Sequence, residues 1–448
     1  MPNFPRQLRL TGGDYFFEAM DRRLRRAGLP GNVCHLALRL EPGLNTERLR
    51  ERLEASPIFD WLSRVRMVRL LPVLPPRWRT SARRGPILHE HDGEGANGKE
   101  LAGLPSAVLG RELRAGRSPA LALDLVRHAD GSAHLVLSWH HSLMDVRGAE
   151  LLLRHLQAGG AADSSPGVQD LFHPEQRKFG LPRLWGGYRR KVMFARGALA
   201  LINTTCQEPL FSLLPAPQRV GRCQHHYRIW SFGEEETARI ERHCQRLNAS
   251  FRRSHFYLAA SIQALHAVAA RRGEARGAYL IPVPHDMRRR GARGPIFSNQ
   301  LSFLFYRIEP RLAASMSEMI GELTRQMMDQ VRNRTPESLM AAMDLFKPMP
   351  LDFYLHRLGR PTRGKFASFF FSDAGESCAG MNEVLGGRLA AVTHLAPASR
   401  PPGLAVAFSH FRGQLCVMLA WVDDCLSVEE VAGLEGGLRA GLLGEGAS

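Results

Sequence analysis

An α/β protein of two lobes is what the sequence predicts, and three observations carry that expectation. The chain has 448 residues, more than one ordinary hydrophobic core holds, which suits two domains of about two hundred residues each. Strand-like runs alternate with helical patterns in both halves, so each half builds a mixed sheet with flanking helices. Between the halves lies "QAGGAADSSPGVQDLFHPEQRKFGLP", residues 157–182, whose Gly, Ser and Pro content marks a linker.

The first half opens with a helix over 14–26 and a second over 46–53, with "VCHLALRL" between them as a strand. The polar, Gly-rich "SARRGPILHEHDGEGANGKE" that follows reads as a long loop. Next, "LALDLVRH" and "AHLVLSW" are strand-like runs around the Asp-Gly turn of "ADGS", a hairpin signal. His140 and His141 end the second strand. "DVRGAELLLRHL" then carries apolar residues at helical spacing, and Asp145 stands at the helix start, where a carboxylate suits the dipole. In the second half, helices are expected over 234–247, 254–270, 315–334 and 427–443. Strands are expected at "AYLIPVP", "NQLSFLFYRI", "KFASFFFS", "LAVAFSHF" and "QLCVMLAWV".

Composition bounds the partners. Lys and Arg number 60 against 43 acidic residues, a net charge of +17. That surplus suits a phosphorylated cofactor, an acidic carrier protein, an anionic membrane or nucleic acid, although a uniformly basic proteome would produce it too. Seven scattered cysteines with no CxxC pair indicate a reducing compartment, no disulfide framework and no zinc site. The N-terminus has no apolar signal region, so a cytoplasmic location is expected. The most apolar helical stretch, "VMFARGALALINTTC", is interrupted by Arg196 and falls short of the ~20 residues that span a bilayer. Residues 185–206 combine Trp, Tyr and Phe with Arg189, Arg190, Lys191 and Arg196. They suit either a helix lying on an anionic inner-membrane surface or one packed across the two lobes.

Several motifs fail. "GEGANGK", Gly93 to Lys99, has phosphate-loop spacing, but Glu100 stands where Ser or Thr should hold magnesium. "HEHD", His89 to Asp92, reads as solvated loop, and His225-His226 lacks a following aspartate because Trp230 takes that place. No GxSxG elbow, HExxH or dinucleotide fingerprint occurs, and no metal is expected.

"HHSLMD", His140 to Asp145, survives. A histidine with a pKa near 6.5 accepts a proton at neutral pH and returns it within one turnover, and a carboxylate four residues on can hold the local turn by pairing with an arginine. Two satisfied histidines capping a strand would be the structural alternative. The HHxxxD pattern resembles the signature of the acyltransferase superfamily that contains chloramphenicol acetyltransferase, plant acyl-CoA-dependent acyltransferases, peptide-synthetase condensation domains and wax ester synthase/diacylglycerol acyltransferases. The resemblance continues along the chain. "LIPVPHDMRRR" is similar to the family's strand and turn that end in an arginine, here Arg288, and "FSNQLSFLF" to a strand opened by an asparagine, here Asn299. "FASFFFSDAGES" places Ser372 and Asp373 in the "SN.pG" segment, and "GLAVAFSHFRGQLCVMLAWVDDCLSVEEVAGL" resembles the closing hairpin and helix. "PRWR" and the segment after the first lobe lean towards the wax ester branch, but Ser254-His255 stands where that branch has Asn-Asp.

The resemblance implies two chloramphenicol-acetyltransferase-like lobes, residues 1–175 and 221–448, joined through 176–220, with the active site in a tunnel between them. It implies acyl transfer from a thioester, acyl-CoA or carrier-protein-bound, to a small hydroxyl or amine acceptor, an O-acyl product being expected before an N-acyl one. His141, Asp145 and His140 are the implied catalytic group. His141 is the base, His140 positions the turn, and Asp145 pairs with Arg288. Ser372 and Asn299 are oxyanion candidates, and Arg271, Arg272, Arg289 and Arg290 are candidates for the thioester's phosphates. No tightly bound cofactor is expected, coenzyme A or phosphopantetheine being substrate. Nucleic acid is disfavoured because the arginines lack aromatic interleaving or a reading helix. A condensation-type domain acting on carrier-protein thioesters, or a non-catalytic relative that binds a carrier or membrane, stays open.

Overall fold

The computed structural model describes residues 4–69, 71, 74–93, 104–158, 168–177, 186–214 and 221–445. Two sheets dominate it. The larger has six strands in the order β12-β13-β2-β7-β6-β5, formed by Glu383–Val384, Gly387–Leu395, Val33–Leu40, Ala133–His140, Leu121–Arg127 and Leu88–Asp92 respectively. The second has the order β11-β14-β15-β8, formed by Phe370–Glu376, Leu404–Phe411, Gln414–Val422 and His225–Phe232. Strands β9 (Tyr279–Asp286) and β10 (Leu301–Ile308) make an antiparallel pair. Strands β1 (Gln7–Arg9), β4 (Arg77–Thr80) and β3 (Val65–Val68) make a small third sheet. The fold is mixed α/β with helices against both large sheets, as its sequence pattern requires.

The hairpin β6–β7 forms where the Asp-Gly turn places it, in register from Leu121↔Trp139 to Arg127↔Ala133. Both of its strands are almost wholly buried, which is why they read as continuous apolar runs. Helices Gly12–Arg26, Glu234–Arg246, Arg253–Arg271, Met316–Arg332 and Val428–Leu443 stand where their periodicity puts them. The first is closed by a Thr11–Asp14 capping box and the last by Ser427–Glu430.

Two stretches depart from expectation among the described residues. "HEHD" is edge strand β5, paired in parallel with β6, because an edge strand tolerates charge on its open side. Its His91 contacts Asp124 at 2.7 Å, and Arg111 completes that buried cluster. The phosphate-loop-like stretch lies, after Gly93, outside the described residues. Within the stretch read as a linker, Leu171 and Phe172 are buried, and Ile296 and Phe297 donate backbone hydrogen bonds to Leu171.

The most consequential element escaped the sequence reading. Strand β13 leaves the C-terminal half and pairs with β2, from Leu389↔Leu40 to Leu395↔His35. The two halves are thereby laced through one sheet. Each large core also takes side chains from the other half: Met20 and Leu24 enter the C-terminal core, and Phe297 and Leu389 the N-terminal one.

The basic, apolar segment is helix Gly186–Thr205. Ala195 and Ala198 pack on Leu339 and Ala342 of helix Thr335–Phe346, and the Ala198 N–H donates to the Ser338 hydroxyl at 2.8 Å. Packing is therefore one role of this helix, and Met193 stays on its open side. Among the described residues, no helix is long and apolar enough to cross a membrane.

Candidate functional site

Strand β7 delivers the histidine pair to a turn fixed from several sides. The His141 N–H donates to the Asn32 carbonyl at 2.9 Å, Leu143 N–H to the His140 carbonyl at 2.8 Å, and the Trp139 indole N–H to the Met144 carbonyl at 2.9 Å. His141 emerges into a cavity of about 940 Å³ between the two halves. Its ring lies flat on Phe17, 3.7 Å between centroids at 8°.

One contact decides the imidazole's tautomer. Asn299 donates from Nδ2 to the His141 carbonyl (2.8 Å) and to Asp14 Oδ1 (3.0 Å), so both amide protons are used. Its Oδ1 therefore faces His141 Nδ1, 3.1 Å away, and as an acceptor only it requires Nδ1 to carry the proton. The lone pair is left on Nε2. Asp14 fixes Asn299 in turn, since its Oδ1 also accepts from the Asn299 backbone N–H at 2.7 Å.

This overturns the oxyanion expectation for Asn299, which is fully buried and has no donor left. It orients the base. Ser372, on β11, does line the cavity together with His141. A bulge between Asp373 and Glu376 breaks the pairing with β14 just beyond it, and Asp373 lines the same space.

Burial pushes the His141 imidazole down to about 4, outweighing its own carbonyl, Asp145 and Asn299. The ring is therefore neutral and able to accept a proton across the physiological range. The expected kcat/KM profile is flat through pH 6.5 and falls towards about 4. A pH–rate profile with its acidic inflection at the ordinary histidine value would contradict the burial. The unfolded imidazole, at about 6.5, takes up its proton first, so this group's effect is a loss of stability as pH falls from there towards the folded value.

His140 behaves oppositely. It is 1% exposed, does not line the cavity, and places Nε2 3.3 Å from Asp21 and Nδ1 2.6 Å from the Ser142 hydroxyl. Burial opposes its charge, but Asp21 and Glu18 outweigh it and raise its pKa. It braces the turn against the first helix, in the place of a positioning residue behind His141.

Asp145 is the N-cap of helix Val146–Gln157, its Oδ1 accepting from Gly148 N–H at 2.8 Å. Its Oδ2 accepts from Arg288 Nη1 and from the Gln300 N–H, both at 2.9 Å. The pair is buried, with side chains 1% and 3% exposed. Arg288 also donates to the Pro295 carbonyl from Nε and Nη2. A carboxylate so occupied relays no proton; it ties the turn to β9's exit. Gly148 is required by close approach, since a Cβ there would lie 2.5 Å from the Ile296 carbonyl oxygen. Gly148→Ala is expected to destabilise by roughly 1–3 kcal/mol, read as a lower denaturant midpoint.

The four arginines expected at phosphates do not line this cavity. Arg272 is held by Glu430 and the Cys425 carbonyl, a structural role. Arg271 is exposed at the same helix end, and Arg289 and Arg290 are exposed in the turn after β9. His255 is a core residue between the Thr324 and Tyr306 hydroxyls. His225 and His226 bond the Ala398 carbonyl and Asp423, which is structural. Among the described residues, Glu18, Asp21 and His140 are close enough to share a metal ion, but Asp21 already accepts from Arg25 and the Asn32 N–H.

No protein-family model matches the sequence, and no curated protein does. Solved structures do match in fold. The trichothecene 15-O-acetyltransferase of Fusarium sporotrichioides aligns at TM-score 0.67 and 14% identity, over 98% of this chain and 95% of that one. The first condensation domain of the calcium-dependent antibiotic synthetase aligns at TM-score 0.65 and 14% identity, over 98% and 96%. A variant of the starter condensation domain of rhizomide synthetase, in complex with C8-CoA, aligns at TM-score 0.64 and 12% identity, over 99% and 95%. The chain therefore has the two-lobed fold shared by condensation domains and this acetyltransferase, the alignments covering 98–99% of it.

Proposed function

We propose that the protein transfers an acyl group from a thioester to a hydroxyl or amine acceptor. His141 Nε2 removes the acceptor's proton as its oxygen or nitrogen attacks the thioester carbonyl. The tetrahedral intermediate collapses with cleavage of the C–S bond, and the imidazolium returns the proton to the leaving thiolate, so no acyl-enzyme forms. The observation that carries this reading is the Asn299 contact, which presents the neutral ring in the one tautomer that leaves Nε2 as acceptor. The Ser372 hydroxyl is the side-chain donor we assign to the oxyanion, in the same apolar cavity.

Phe16, Phe303, Phe305, Phe370 and Phe371 line that cavity and suit an apolar acyl group. Pairing of Arg288 with Asp145 supports a structural part for both in the same proposal. An ester product is the form we put first, an amine acceptor giving the amide by the same steps. The test is free-thiol release from a panel of acyl-CoA and acyl-carrier-protein thioesters, offered with alcohols and amines. Acceptor-dependent release is the expected result; a folded protein that cleaves none of them would remove the proposal.

A further inference from the structure

The catalytic cavity opens where strands β9 and β11 part. Leu280 and Ser368 still bond: the Ser368 N–H donates to the Leu280 carbonyl at 2.7 Å, and the Leu280 N–H to the Ser368 hydroxyl at 3.0 Å. Pro282 and Pro284 turn the same edge of β9 that way but have no N–H to give, so no ladder follows. β11 is therefore the edge of its sheet, and consecutive residues along it, Phe370 to Ala374, border the cavity. Of these, Asp373 carries the charge.

The Asp373 carboxylate makes no ion pair among the described residues. Its Oδ1 accepts from the Gly375 N–H at 3.0 Å, within the bulge. Arg253, whose field reaches it, is exposed and paired with Glu241. Burial pushes the His410 imidazole down, so that ring is neutral, and it bonds the Tyr257 hydroxyl at 2.9 Å. Burial likewise raises the Asp373 carboxyl, outweighing the Gly375 N–H, His410, Arg253 and the Ser254 hydroxyl. The other carboxylates of the lining are occupied, Asp145 and Asp286 by Arg288 and Glu150 by Arg147. Arg357 and Arg360 also line the cavity, exposed on helix Leu351–Gly359 and just after it, without an ion pair to Asp373. An ionised group without a counter-charge is costly in an apolar cavity, and a cation brought by a ligand relieves that cost.

We propose that Asp373 anchors an ammonium group of the acceptor, which makes the acceptor class an amino alcohol or a diamine. The attacking hydroxyl or amine must be neutral when His141 takes its proton, so the ammonium is a second group of the same molecule. A thioester donor's arm is built of neutral amides and offers Asp373 no cation, which leaves that part to the acceptor. No bond forms or breaks at Asp373; it sets which acceptor is held. The assignment to an acceptor rests on the acyl-transfer reading above; the cation site itself does not.

The probes are linear ω-amino alcohols and, as neutral controls, the diols of equal chain length, with wild type, Asp373→Asn and Asp373→Ser. Binding is measured calorimetrically without thioester, and kcat and KM with an acyl N-acetylcysteamine thioester. Wild type should prefer each amino alcohol that fits over its diol. That preference should fall about tenfold or more in both variants, the loss lying in KM. Asparagine keeps the shape of the side chain, and the serine variant keeps the test valid if D373N melts early. No ammonium preference in wild type at any chain length, or a preference that survives in the variants, overturns the proposal. So does a fall in kcat common to amino alcohols and diols with the preference kept, which would make Asp373 a donor to the oxyanion. Ammonium-selective binding that depends on Asp373, without turnover of any thioester, would support the anchor and remove only the acyl-transfer reading.

Discussion

Replacing His141 with alanine is expected to lower turnover by about 10²-fold or more while the protein stays folded. The side chain sits at a cavity wall on Phe17, and among the described residues its side-chain hydrogen-bond partner is Asn299. Its loss therefore removes the proton acceptor and leaves the brace made by His140 and Asp145 intact. Asn299→Ala should lower kcat as well, because the ring then loses the contact that selects its tautomer. Circular dichroism and melting alongside the rate separate lost chemistry from lost structure. Wild-type rates in H141A would end the general-base account.

The second large effect belongs to the buried pair. Asp145→Ala removes the acceptor shared by Arg288 Nη1 and two backbone N–H groups, Gly148 and Gln300, and leaves the buried guanidinium only Asp286 and the Pro295 carbonyl. Breaking such a pair from one side costs about 3–5 kcal/mol, so stability and activity should fall together. Arg288→Ala should do the same, leaving the Asp145 carboxylate without its cation. The double variant should then be less damaged than the sum of the two singles. Denaturant midpoints for the four proteins of the cycle check this; strictly additive losses would mean that the 2.9 Å contact carries no coupling.

What the sequence made legible was local. The β6–β7 hairpin, the histidines at its end and Asp145 at a helix start are fixed within about 25 residues by turn chemistry, alternation and capping. Arg288 was reachable only through the resemblance, since nothing local says that residues 145 and 288 meet. The same distance hid the role of Asn299, whose partners Asp14 and His141 lie 285 and 158 residues away. A signal for Asp14 did exist in Thr11-x-x-Asp14, though a capping box announces a helix start and nothing about a distant amide.

Strand β13 was missed for a related reason. Its burial pattern, with four of nine residues at least partly exposed, lacks the apolar run that marked β14 and β15, and its pairing with β2 crosses some 350 residues. The arginines misled because charge count carries no position: Arg272 is neutralised by Glu430, whereas Arg39, in a strand that reads as core, opens onto a groove.

The central claim, that a neutral His141 drives direct acyl transfer, is tested most directly by single-turnover thiol release from an acyl thioester. Wild type and H141A are compared with and without acceptor, and the intact protein mass is recorded at each time. The account predicts acceptor-dependent release by wild type, loss of that release in H141A, and no acyl adduct on either protein. Release that survives in H141A, or an acylated protein that precedes product, would contradict it.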